Sequence, residues 1–222
     1  MIASLPMYDW PELQAGNDEA WSAIRDELRG QGIAAPEVLT RGQDDLQALW
    51  RDPHLFLSQT CWGPLDLGLA RHVQVVAQPD YSAYEGGKGE FYSSAIVMRK
   101  GASGELTGKR FAFNSTDSRA GYLALKADLE ARGESLVSFS ELVETGGHRA
   151  SIRAVAEGRA DVAAIDCKTW ALARNHEPAA RELVVSGWTT KRLGLPFITA
   201  RSTTREVIDV LRAALMKASP LN

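Results

Sequence analysis

The residues of this chain best suited to chemistry lie in its second half. Asn114-Ser115-Thr116-Asp117-Ser118 places three hydroxyls, an amide and a carboxyl between an apolar run at 110–113 and a helical pattern that begins near Arg119. A strand feeding a helix at that point leaves free backbone N–H groups and the positive end of the helix dipole. Together with the hydroxyls they make an anion site. The same hydroxyls on Ser115, Thr116 or Ser118 are also good helix caps, and the sequence leaves both readings open. Arg119 either clamps a carboxylate or phosphate with its planar fork or lies on the solvent face of the helix. His148 follows Gly146-Gly147 at the start of another predicted helix. Anions gather at such a terminus, which favours ligand contact over a purely structural role. Asp166 ends a predicted strand, where capping the next helix is one role open to it.

Helical and strand patterns alternate along the whole chain and hold these groups in place. The apolar spacing predicts strands at 2–7, 36–40, 54–58 and 73–77, with helices over 17–28 and from about 43 to 50. Asn17 or Asp18 is the expected cap of the first helix, and Trp21 and Trp50 sit at core spacing within the two helices. This succession implies a parallel sheet with helices on its faces. A glycine-rich turn at 85–89 interrupts it, and FYSSAIVM (91–98) reads as one long strand. A second set follows: strands at 110–113, 142–144 and 161–165, and helices over 119–132, 148–157 and 167–175. The tail returns to strands at 183–186 and 197–200 and closes with a helix opened by Ser202-Thr203-Thr204. Two α/β lobes are therefore expected. One comprises residues 1–90 plus 182–222, the other residues 91–181, and the chain crosses between them twice at hinges. Lobes of this kind usually enclose a ligand cleft at the carboxyl ends of their strands. Trp10, Trp170 and Trp188 either line that cleft or fill the core.

Composition narrows the function further. The 222 residues are 45% hydrophobic and 24% charged, which suits a globular chain able to bury a core without staples. Lys and Arg number 25 against 28 Asp and Glu, a formal charge of −3, so nucleic-acid binding by counterion release is not expected. No stretch approaches the roughly 18 apolar residues of a membrane span, and no membrane insertion is expected. The start, MIASLPMYDWPELQ, lacks the charged n-region and apolar core of a secretory signal. The expected location is cytoplasmic if Met1 is the native start and periplasmic if a leader has been removed. Cys61 and Cys167 stand outside any CxxC or Cys/His spacing, which excludes a cysteine zinc site and a disulfide framework. Both follow predicted strand ends and could face the cleft, with buried inert thiols as the default. No GxSxG, HExxH, phosphate-loop or dinucleotide-binding glycine pattern occurs, and neither a metal nor another cofactor is expected.

Three stretches carry a resemblance to one family. FYSSAIVMRKGASGELTGKRFAFNSTDSRAGYLALKADLEARG (91–133) resembles the second-lobe segment of phosphonate-binding proteins of ABC importers. There an aromatic-rich strand precedes "L-x-GK-x-x-AF" and a Ser/Thr-rich turn with Gly-Tyr at a helix start. GGHRASIRAVAEGRADVAAID (146–166) is similar to that family's "G-x-H-x-x-x-(I/V)-x-x-V-x-x-G-x-(A/V)-D-x-(A/G)-A-x-D", and WGPL (62–65) to its Gly-Pro turn. The resemblance implies an α/β, two-lobed type II periplasmic-binding-protein-like (transferrin-like) fold with a central ligand cleft. It implies a solute-binding protein or module that captures a small oxyanion, phosphonate- or phosphate-like or a related organic anion, by lobe closure, with an ABC permease as partner. The ligand-binding residues it implies are Tyr8, Trp62, Tyr92, Ser115, Thr116, Ser118, Arg119, His148 and Asp166. An acid such as Asp166 beside an anion site implies a zwitterionic or partly protonated ligand. The chain departs from the pattern at Ser118-Arg119-Ala120-Gly121-Tyr122, where the family has Ser and Thr directly before Gly-Tyr. A hydroxyl is replaced there by a guanidinium. The alternative is a cytoplasmic enzyme of the same fold acting on a small anionic metabolite in the inter-lobe cleft, with His148 and Asp166 as an acid–base pair.

Overall fold

The structure is a computed structural model that describes residues 1–218. In chain order it contains β1 (Ile2–Ser4), α1 (Gln14–Gly30), α2 (Leu46–Arg51), β2 (Leu55–Gln59), α3 (Trp62–Asp66) and β3 (Val73–Ala77). Next come β4 (Gly87–Lys88), β5 (Phe91–Tyr92), β6 (Ser94–Arg99) and β7 (Arg110–Phe113). A π-helical turn, Arg119–Leu123, runs into α4 (Ala124–Glu130), followed by β8 (Glu141–Glu144), α5 (His148–Ala156), β9 (Val162–Asp166) and α6 (Cys167–His176). The chain ends through β10 (Leu183–Trp188), β11 (Arg192–Leu193), β12 (Phe197–Ala200) and α7 (Arg205–Lys217). Among the described residues these elements form two compact units, one of Met1–Pro79 with residues 194–218, the other of Asp80–Leu193.

In unit 1 the sheet order is β1-β2-β12-β3. β1 and β2 are parallel, and β12 is antiparallel to both β2 and β3. Strands β1, β2 and β3 thus run one way, as the alternation predicts, and the returning tail inserts one reversed strand between them. Trp21, Ile24 and Leu28 of α1 pack with Ile208, Leu211 and Leu215 of α7 in one core cluster, against Leu57 and Phe197. Leu49, Trp50, Leu65, Leu69 and Ile198 form a second cluster. α1 starts three residues before the expected Asn17 cap, behind a 3-10 turn opened by Pro11, whose missing N–H costs nothing at a helix start. Asn17 is buried instead and donates through Nδ2 to Asp9 Oδ1 at 2.8 Å. The strand expected at 36–40 does not form. Thr40 N–H donates to the Ala3 carbonyl of β1, and Ala35 and Leu39 bury their side chains in the same core cluster as Ala3.

In unit 2 the five-stranded sheet has the order β10-β6-β9-β7-β8. β8, β7 and β9 are parallel to one another, and β6 is antiparallel to β9. Phe111, Phe113, Leu125, Leu129 and Val162 fill the core. The strand at 183–186, expected in the first lobe, pairs with β6 as β10 and so belongs to unit 2. The single long strand expected at 91–98 is broken at Ser93. Phe91 and Tyr92 join a small antiparallel sheet of order β11-β5-β4, and the register with β9 starts at Ser94 opposite Asp166. Each parallel strand turns into a helix at its carboxyl end: β7 into the π turn and α4, β8 into α5, β9 into α6. The hydroxyl run, His148 and Asp166 all lie at those three junctions.

Candidate functional site

The turn after β7 is built around Ser118. Its Oγ accepts a hydrogen bond from Gly121 N–H at 3.1 Å, so Ser118 does cap the helix. That bond uses an oxygen lone pair and leaves the hydroxyl proton to be donated. Tyr122 and Leu123 N–H groups both converge on the Ser118 carbonyl, at 3.1 and 3.0 Å, which opens the first turn to a π geometry. Gly121 is required here, because a Cβ would lie 2.7 Å from Asn114 Oδ1 and 3.1 Å from Ser118 Oγ. Asn114 Oδ1 is itself buried without a hydrogen-bond partner. Ser115 Oγ pairs with Asp117 Oδ1 at 2.5 Å, while Thr116 is exposed and Arg119 partly buried at the head of the π turn.

Two bonds tie this turn to its neighbours. Gly146 N–H donates to the Asn114 carbonyl at 2.9 Å, bringing the Gly146-Gly147 turn against it. Ser94 Oγ donates to the Ala120 carbonyl at 3.0 Å, and Ser94 is the register partner of Asp166. Gly147 is the N-cap of α5 and, having no side chain, makes no side-chain cap bond to its first turn. His148 follows, with Nε2 3.2 Å from Asp166 Oδ2. Burial holds the imidazole below its ordinary value, against the opposing pull of the Asp166 carboxylate and the Ala164 carbonyl. Asp166 is 1% exposed, and its Oδ1 accepts from Thr169 N–H at 2.9 Å. It is therefore a helix cap and a histidine partner together, in the interior rather than in solvent. Ser118, His148 and Asp166 are brought to one edge of the sheet, as is the π turn that carries Arg119.

Three residues at this edge escape sequence reasoning. Asn114 belongs to the hydroxyl run, but only the fold reveals its buried oxygen above Gly121. Lys168, the second residue of α6, is buried, with Nζ 5.7 Å from the centre of the Tyr84 ring. Burial brings this ammonium down to about 8, with Asp166 and Cys167 pulling the other way. A lysine on a helix reads from sequence as a solvated charge, so no signal in the chain marks it. Tyr84 immediately precedes the glycine-rich turn; burial, then Cys167 and Asp166, raise its hydroxyl. Cys167 is buried and its thiol is pushed up to about 12 by desolvation, which makes it an inert side chain. Among the described residues no cluster of His, Cys, Asp and Glu is placed to hold a metal ion.

Tyr92, also in unit 2, is buried and packs its ring 5.5 Å from that of Tyr81. The two remaining expected residues, Tyr8 and Trp62, belong to unit 1. Tyr8 is buried beyond the end of β1, and Trp62 opens α3 beyond β2. Trp62 Nε1 is a buried donor without a hydrogen-bond partner, as are Thr60 Oγ1 after β2 and Gln78 Nε2 after β3. Unit 1 thus keeps unpaired polar groups at the carboxyl ends of its co-directional strands. Thr60 and Gln78 carry no motif, and only the strand ends locate them. Trp170, Trp21 and Trp50 are all buried core residues.

Comparisons with known proteins agree with this architecture. PhnD1 of Prochlorococcus marinus, solved in complex with methylphosphonate, is similar at 18% identity and a TM-score of 0.73, over 99% of this chain and 87% of that one. A binding-protein component of an ABC phosphonate transporter from Pseudomonas aeruginosa shares 16% identity at a TM-score of 0.70, over 97% of this chain and 74% of that one. A sulfonate-binding protein of a putative sulfonate ABC transporter from Methylobacillus flagellatus shares 16% identity at a TM-score of 0.60, over 90% and 62% respectively. At these identities the likeness shows the fold, which is that of the type II periplasmic-binding proteins. Among the curated proteins no sequence match is found. The family of periplasmic substrate-binding proteins of phosphonate ABC transporters matches residues 63–221, well over half of the chain. Its members are substrate-binding proteins rather than enzymes. The chain belongs to this family of ABC-transporter phosphonate periplasmic substrate-binding proteins.

Proposed function

We propose that this protein captures a small oxyanion of the phosphonate or phosphate class at the carboxyl edge of its unit 2 sheet. Capture in the periplasm ends in closure of the two units over the ligand, which is then passed to a membrane permease partner. The observation that carries this reading is the Ser118 turn. Its hydroxyl caps the helix as an acceptor and keeps a proton to donate, at a junction where two helix starts and a buried His–Asp pair meet. A charged acceptor meeting preset N–H and O–H donors gains more per bond than a neutral one. The unpaired donors Trp62 Nε1 and Thr60 Oγ1 give unit 1 the means to complete the oxyanion's bonds. Family membership and the methylphosphonate bound to PhnD1 support the same ligand class.

The test is titration calorimetry of the purified protein with methylphosphonate, phosphite, phosphate, methanesulfonate and acetate. Saturable binding of the phosphorus oxyanions, with acetate silent, is the expected result. A blank across all five would overturn the reading.

A further inference from the structure

Resting on that oxyanion reading, we propose that Asn114 accepts the acid proton of the ligand, so that the site takes singly protonated phosphorus oxyanions in preference to sulfonates of the same shape and charge. The fold alone does not choose between them, since it is shared by a methylphosphonate-bound protein and a sulfonate-binding one. The choice therefore falls to side chains at the oxyanion turn. The Ser118 hydroxyl suits either ligand, because both present bare oxygens to a donor. Asn114 Oδ1 is different: it is an acceptor, buried, and without a hydrogen-bond partner. The chain around it is held by Thr145 N–H on the Phe113 carbonyl at 2.8 Å and by Gly146 N–H on the Asn114 carbonyl at 2.9 Å. Asn114 Oδ1 and Ser118 Oγ border one point, for a Cβ on Gly121 would lie 2.7 Å from the first and 3.1 Å from the second. An acceptor and a donor thus stand together in the same turn. A buried acceptor left unpaired is costly to the fold, and a ligand that brings a proton removes that cost. A phosphonate monoanion carries such a proton, on the P–OH beside its charged oxygens. The three oxygens of a sulfonate only accept, and one set against Asn114 Oδ1 would bring lone pairs against lone pairs. Asn114 is partly exposed as a residue and the terminal torsion of its amide is broad, so the oxygen can turn toward the ligand at little cost.

The experiment compares methylphosphonate with methanesulfonate by calorimetry at about pH 5.5, below the second ionisation of a phosphoryl group. Both are then mainly monoanions, so the charged side chains near the turn, Asp117, Arg119, His148 and Asp166 among them, act on both alike. The native protein is expected to bind methylphosphonate at least about tenfold more tightly, the scale of one buried hydrogen bond made against one left unmade. Asn114→Leu, which keeps size and removes the acceptor, should shrink that ratio at least about fivefold on the same grounds, and Asn114→Ala should do likewise. A merely structural role would weaken both ligands together and leave the ratio alone, and thermal melts establish that each variant is folded. In the native protein, with no variant needed, the carbonyl carbon signal of the Asn114 side chain should move as methylphosphonate saturates. Equal or tighter binding of methanesulfonate, an unchanged ratio in a folded variant, or an unmoved Asn114 carbon would overturn this inference, while saturable methylphosphonate binding leaves the oxyanion reading standing. Failure of both ligands to bind the native protein would overturn the oxyanion reading, and this inference with it.

Discussion

The two ends of β9 carry two carboxylates five residues apart, and they are treated in opposite ways. Asp161, just before the strand, accepts from Arg99 Nη2 at 3.0 Å, from Arg110 Nε and Nη2 at 3.0 and 2.9 Å, and from Arg110 N–H at 3.0 Å. Bonding to Arg110 outweighs the penalty of burial and holds this carboxyl well below the usual range. Its arginines are themselves tied down, Arg99 Nη1 to the Val155 and Ala160 carbonyls and Arg110 Nη2 to Gly158. Asp166, at the other end, is more deeply buried yet is met by a backbone N–H and a histidine that burial keeps neutral. The first is a closed arrangement in which one carboxylate is shared by two guanidiniums, and it fastens strands together. In the second, the carboxylate is shared between a helix cap and an imidazole, beside the buried Lys168 ammonium. In this sheet the kind of partner, rather than burial, separates the two acids: guanidiniums at one end, a helix N–H and an imidazole at the other.

That contrast can be broken at either end. The largest effect is expected from Asp161→Ala, which leaves two guanidiniums without their acid. It should lower unfolding free energy by about 2 kcal/mol, less than for a fully buried pair because both arginines reach solvent. Urea denaturation measures this, and oxyanion affinity of the folded variant should be unchanged. Because the folded-state value of Asp161 is depressed, its contribution is complete above about pH 4 and is lost as pH falls through the folded value. The native protein should therefore lose stability in acid more steeply than the variant. Ser118→Ala comes next. Losing the cap should cost about 1 kcal/mol of stability. Losing the donor should weaken phosphonate binding by about 1–3 kcal/mol in calorimetry. Ser118→Thr should recover part of both.

His148→Gln is expected to act more gently, and through pH. The folded state lowers the imidazole's proton affinity, so the unfolded chain binds more protons below the ordinary value of about 6.5. Stability should hold above that value and decline as pH falls from there through the folded value. The variant should flatten this slope in thermal melts taken between pH 7 and pH 5. The smallest effect belongs to Thr116→Ala. Its side chain is exposed, and a surface change of this kind should stay within about 0.5 kcal/mol in both stability and affinity. A large loss of affinity there would shift the site from Ser118 toward the turn's tip.

Periodicity made much of this molecule legible. The helices α1, α2, α5, α6 and α7 follow apolar stripes that only a helix can bury together. The strands β2, β3, β7 and β9 follow short apolar runs with turn residues at their ends. Strand direction was not legible, because the reversed β12 depends on where the tail returns and not on its own residues. The break at Ser93 was hidden for a similar reason, since both halves of 91–98 favour strand and only their different partners divide them. At the site, hydroxyls beside a helix start and a glycine-flanked histidine announce themselves by type and spacing. Lys168 does not, because burial of a lysine is decided by tertiary packing around Tyr84 and Asp166. Asp161 and Asp166 look alike in sequence, and only the arginines that reach Asp161 from β6 and β7 tell them apart.

The contrast between the two ends of β9 is most directly tested by backbone amide spectra of the native protein during titration with methylphosphonate. The largest shifts are expected at residues 118–121, 147–148 and 166–169, with residues 158–162 unmoved. Saturable binding with shifts centred on 158–162, or with the 118–121 amides silent, would contradict it.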